Sequence, residues 1–149
     1  MPTESLPESP QILQNIDFEE IEHTADWALR VSGRDLGELL VNAARGMVSL
    51  MISNPPATLV NVERNIEIES IDAESLLVDW LSELAYWAEA ETLVFYQFDL
   101  QNVTPTSLRA TVRGGHAPNL KKHIKAVTYH NLEIIETESG LEATVVFDV

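Results

Sequence analysis

The chain has 149 residues, 45% of them hydrophobic, which is enough for one domain with a real core. Its 24 Asp and Glu outnumber its 9 Lys and Arg, a formal charge of -15, which argues against a protein whose main task is gripping nucleic acid. It has no cysteine, so disulfides, thiol catalysis and thiolate metal centres are excluded.

Residues 1–16 carry Pro2, Pro7 and Pro10 among Ser, Glu and Gln. That composition predicts a disordered leader, with the folded domain spanning 17–149. It lacks the basic start and apolar run of a signal peptide, and no apolar stretch is long enough to span a bilayer. The cytoplasm is the expected location.

Phe18 to His23 reads as a short strand of poor periodicity. Trp27, Leu29 and Val31 then alternate with Ala28, Arg30 and Ser32, the pattern of a half-buried strand ending at Gly33. Asp35 is placed to cap a helix, with Glu38 three residues on as in a capping box. Leu36, Leu39, Leu40, Ala43, Ala44, Met47, Val48 and Met51 give that helix one broad apolar face. Gly46 interrupts it, and suits a close approach to a strand. Ser53-Asn54-Pro55-Pro56 ends the helix.

A strand is expected between Val60 and Ile71, and Asp72 caps a second helix. Its stripe is Leu76, Leu77, Trp80, Leu81, Leu84, Trp87 and Ala88, with the indole N–H groups finding partners at the edge of the core. Strands follow at Leu93 to Leu100 and Leu108 to Arg113, joined by a turn at Thr104 to Ser107. Gly114 to His123 reads as a connection. Ile124 to Glu136 and Leu141 to Val149 form a last hairpin about Glu138-Ser139-Gly140. The sum is an α+β domain: two helices on one side of a mostly antiparallel sheet of about seven strands.

Catalytic constellations are scarce. There is no Gly-x-Ser-x-Gly, no recognisable Ser, His and Asp frame, and no glycine-rich phosphate loop. His116, His123 and His130 are spaced by seven across a proline and a strand, so they share no helical face.

Two carboxylates stand out instead. Asp26 lies in Glu22-His23-Thr24-Ala25-Asp26, at the entry to the first amphipathic strand. Asp148 is penultimate, in a last strand whose other face is lined by Ala143, Val145 and Phe147. If the fold joins them, two carboxylates and the oxygens of Val149 converge. An all-oxygen cluster suits a hard cation such as calcium, magnesium or manganese. Asp26 can equally be a turn residue, and Asp148 an exposed one. His23 either bonds a nearby loop backbone or orients Asp26 from behind. Lys125 is either an ion-pair partner or a contact to phosphate or to a partner protein.

Together these segments resemble the archease family. The likeness rests on Glu22 to Asp26 followed by a strand and helix, and on Leu76-Leu77-Val78-Asp79-Trp80-Leu81. It rests equally on Lys125-Ala126-Val127-Thr128-Tyr129-His130 and the terminal Val146-Phe147-Asp148-Val149. The resemblance covers Phe18 to Val149. It implies a protein cofactor, not an enzyme: an activator of RtcB-type RNA ligases. Those enzymes join a 3′-phosphate or 2′,3′-cyclic phosphate RNA end to a 5′-hydroxyl end in tRNA splicing, using manganese and GTP. The activator promotes guanylylation and multiple turnover. It also implies a metal site at Asp26, Asp148 and Val149, and a functional role for Lys125. No stable nucleic-acid binding and no membrane partner are expected. The competing readings are a stand-alone metal-dependent hydrolase with His23 as base, and a chaperone-like module for nucleic-acid enzymes.

Overall fold

A computed structural model describes residues 18–22, 26–53 and 60–149. The expected leader, the His23 to Ala25 segment and the Asn54-Pro55-Pro56 turn lie outside the described residues.

Helix α1, Leu36–Met51, begins where the sequence predicts, with Asp35 Oδ1 accepting from the Glu38 N–H at 2.9 Å. Glu38 reaches back one residue further than in a capping box and accepts from the Arg34 N–H at 2.7 Å. That N–H, followed by the Arg34 guanidinium, holds the Glu38 carboxyl below its usual pKa. Helix α2, Ala73–Glu91, is capped in the same way by Asp72, whose Oδ1 accepts from the Ser75 N–H at 2.8 Å. It ends on Thr92 in the left-handed region, at φ 53°. None of the helices described is long and apolar enough to cross a membrane.

Around the helices the described residues form eight antiparallel strands in two sheets. The larger is ordered β1 (Phe18–Glu22), β2 (Asp26–Gly33), β8 (Gly140–Asp148) and β6 (Ala126–Thr128), with β7 (Ile135–Thr137) also on β8. The smaller is β3 (Val62–Glu69), β5 (Ser107–His116) and β4 (Leu93–Thr104). The α+β class expected from the sequence holds. The strands number eight because the stretch from Ile124 to Glu136 is interrupted. Asn131 takes a left-handed φ of 51°, Leu132 N–H bonds the Tyr129 carbonyl, and Glu74 Oε2 on α2 accepts from the Ile134 N–H at 3.0 Å. Those bonds hold the segment as a loop, leaving β6 and β7 as two short pieces along one edge of β8.

The helices touch both sheets. α1 packs on β1, β2 and β8 of one and on β4 of the other, and α2 on β6 and on β3, β4 and β5. This explains why α1 is buried beyond its predicted stripe, at Asn42, Gly46 and Leu50 as well as Leu40 and Met47. Asn42 donates to the Ser32 carbonyl at 2.9 Å, so a polar side chain enters the core satisfied. A Cβ at Gly46 would stand 2.6 Å from Leu29 Cδ2 and 2.9 Å from Phe18 Cγ, the close approach its sequence position suggested.

Both predicted helix stripes form the core. Trp80 is fully buried and its indole N–H donates to the Leu40 carbonyl at 2.8 Å, joining α2 to α1. Trp87 is half-buried and meets Phe95 edge to face at 5.3 Å. Strand β5 runs past Arg113 into the stretch read as a connection. Gly114 makes this possible, because a Cβ there would collide with the Val94 carbonyl as β4 bends against it.

Candidate metal centre and basic rim

Two features of β8 fix one end of the larger sheet. Phe147 is completely buried and Val149 packs its side chain against the core, so the residue between them is held in a set position. Alternation turns Asp148 outward, and it is exposed. On one side of β8, the register places Asp148 directly opposite Asp26 of β2. On the other side it faces Ala126 of β6, and the Lys125 N–H donates to the Asp148 carbonyl at 2.7 Å. The sequence motifs that end at Asp26, begin at Lys125 and close on Asp148 therefore meet on adjacent strands, although 121 residues lie between Asp26 and Asp148 along the chain.

Directly opposed positions of an antiparallel pair have Cβ atoms about 5 Å apart. Asp148 makes no ion pair with any described residue. No group of three or more His, Asp or Glu side chains forms a metal cluster among the described residues. Val149, next to Asp148, adds main-chain oxygens. This donor set is all oxygen and fits a hard cation, while it fits zinc poorly. His23 lies outside the described residues. His116 and His123 are engaged elsewhere, with Thr92 at 3.3 Å and Glu89 at 3.1 Å.

The rim beside this end is basic. Lys121, Lys122 and Lys125 are the three lysines of the chain, and they fall within five residues. Lys122 lies over the Trp27 ring, its Nζ 3.7 Å from the centroid. Trp27 is the neighbour of Asp26 and the register partner of Phe147, so this contact closes the basic segment over the end of β2. The Lys121 N–H donates to the Met51 carbonyl and ties the other end of the segment to α1. Sequence reasoning singled out Lys125 alone; the run of cations in so acidic a chain was the signal for the rest. It also missed Tyr86, 61% exposed on α2 and off the predicted stripe between Leu84 and Trp87.

Residues 18–149 match the Archease protein family (MTH1598/TM1083). The chain is 36% identical to the archease of Methanosarcina barkeri over 144 residues, covering 91% of this chain and 98% of the relative. It is 36% identical to that of Methanopyrus kandleri, over 83% and 91% of the two chains. Among solved structures, Protein 1598 of Methanobacterium thermoautotrophicum aligns with a TM-score of 0.69 at 32% identity, covering 89% of this chain and 99% of that one. The archease of Thermotoga maritima, described as a possible chaperone, shares the fold at a TM-score of 0.61 and 24% identity, over 88% and 96%.

Proposed function

We infer that this chain, which belongs to the archease family, works on a partner protein and not as an enzyme in its own right. The partner is an RtcB-type RNA ligase in the cytoplasm, and the effect is to promote its guanylylation and its multiple turnover in tRNA splicing. The observation that carries this reading is the register of the larger sheet. It sets Asp26 opposite Asp148, and the main chain of Lys125 is hydrogen-bonded to Asp148. Three segments that carry the family likeness thus meet at one end of the larger sheet.

In this reading Asp26, Asp148 and an oxygen of Val149 hold a divalent cation, calcium foremost, with manganese or magnesium able to replace it. When bound, the cation supplies a concentrated positive charge at the edge of an acidic surface. The protein's own part is positional. Phe147 and Val149 lock the end of β8 into the core, so Asp148 is presented without freedom to retreat. Lys125 stands beside it as a contact to the partner or to a phosphate.

The test is multiple-turnover ligation by an RtcB-type ligase, with the wild-type chain and with Asp148→Ala, alongside circular dichroism of both. Stimulation by wild type and none by the folded variant is the expected result. Equal stimulation by both removes the metal assignment and keeps the activator role. No stimulation by either overturns the activator role. Stimulation of unrelated enzymes would mark a general chaperone, and turnover by the purified chain alone a metal-dependent hydrolase.

A further inference from the structure

A groove of about 340 Å³ runs between α2 and β6. Ser82, Tyr86 and Glu89 of the helix form one wall, and Lys125 and Val127 of the strand segment form the other. The volume falls within the range of small-molecule sites. We propose that this groove binds a free nucleoside diphosphate or triphosphate, with Tyr86 as the platform for the base, Glu89 as the acceptor for the ribose hydroxyls and Lys125 as the phosphate contact. The inference goes beyond the activator reading and does not depend on the metal centre.

Four observations support it. Tyr86 exposes 61% of its surface on a helix whose other large aromatics are buried or half-buried, and bases stack readily on such a face. Glu89 is oriented by His123, whose Nδ1 lies 3.1 Å from one carboxylate oxygen, leaving the other oxygen to accept from a diol. Lys125 forms no ion pair with any described residue, although the chain carries 24 acidic residues. Four of the arginines, by contrast, are paired: Arg30, Arg34, Arg109 and Arg113. Lys121 and Lys122 lie within four residues of Lys125 along the chain and add to the positive charge of that segment. An RNA strand is a poorer occupant, because beyond this rim it would run over a surface of net charge -15.

The groove is read by calorimetric titration of the full chain with ADP, and separately with inorganic pyrophosphate, both in EDTA. EDTA separates this test from the metal reading, whose failure would leave these titrations unchanged. Saturable 1:1 binding of ADP is expected. Lys125→Ala weakens ADP and pyrophosphate alike, by about tenfold. Tyr86→Ala weakens ADP by about tenfold and leaves pyrophosphate within about twofold, a split that diffuse charge attraction does not produce. Both side chains are exposed, so neither variant endangers the fold. Absence of saturable ADP binding by wild type, or an unchanged ADP affinity in Tyr86→Ala, overturns the proposal. Displacement of ADP by a short RNA of unrelated sequence overturns the assignment to a free nucleotide.

Discussion

The outer face of the smaller sheet and the Asp148 end of the larger one are both polar, but their charges are engaged differently. On the smaller sheet two charge pairs cross the strands, Arg109 with Glu67 at 2.7 Å and Arg113 with Glu63 at 3.0 Å, while Glu69 and Asp99 carry no ion pair among the described residues. The neutral positions between them pair as well, with Thr111 donating to Asn65 at 3.0 Å and accepting from Gln101 at 2.9 Å. At the other end Asp148, Lys121, Lys122 and Lys125 have no ion-pair partner among the described residues. The smaller sheet ties much of its charge across its own strands, whereas in the proposed reading Asp148 and Lys125 act on groups that arrive from outside.

The sharpest way to break this contrast is to remove Asp148. Loss of an outer partner of a metal ligand alone costs roughly 10- to 100-fold in affinity, so if Asp148 holds calcium as proposed, Asp148→Ala should weaken calcium binding by about a hundredfold or more with no change in melting temperature. Calorimetry against calcium reads the first, and a thermal melt the second. Unchanged affinity would return Asp148 to the class of ordinary surface carboxylates.

A core change should act on both regions at once. Gly46→Ala forces a methyl group against Leu29 and Phe18, and overpacking of this kind costs about 1–3 kcal/mol. Urea unfolding should show the loss, while calcium affinity of the folded fraction stays put. A change in affinity without a change in stability would tie Gly46 to the site directly.

The ladder should prove inexpensive. The side chains of Arg109 and Glu67 are 58% and 70% exposed, so Arg109→Ala should cost less than about 1 kcal/mol and leave ligase stimulation intact. Loss of stimulation would show that the smaller sheet is a working surface after all. Lys122→Ala should lower stability by about 0.5–1 kcal/mol through lost contact with Trp27 and make it less dependent on salt, measurable by paired melts. A larger effect on calcium affinity than on stability would make Lys122 a positioning residue for the end of β2.

The smallest effect belongs to Glu38. Its folded-state pKa lies below the unfolded value because Arg34 stabilises the carboxylate, so the unfolded chain binds more protons through that window. Its contribution is present above the ordinary carboxylate range and fades as pH falls through the lowered pKa. Glu38→Gln should flatten that part of the stability-against-pH curve and leave the neutral region little changed. An identical acid limb in both proteins would remove the Arg34 contact from the stability account.

Much of the fold was legible because its signals are local. Asp35 and Asp72 cap the helices they were expected to cap, and both apolar stripes enter the core. What was not legible involves partners far along the chain. Gly114-Gly115 reads as a loop start, yet it continues β5, because β4 bends close enough to need a missing side chain there. The stretch from Ile124 to Glu136 reads as one strand, yet Glu74, 60 residues away from Ile134, holds its middle as a loop. At the site, Asp26, Asp148 and Lys125 were visible as residues out of keeping with their surroundings. Tyr86 was not, since its exposure is a property of the packed molecule, and the contact of Lys122 with Trp27 likewise appears only on packing.

The sequence alone therefore determined the element types, the caps, the core stripes and the residue types on offer for a hard cation, because periodicity, capping and ligand chemistry act within a few residues. Only the tertiary structure decided the division into two sheets, the sharing of both helices between them and the pairing of position 26 with position 148. Those depend on which strands find each other, and that is settled by burying one common core, not by any local preference.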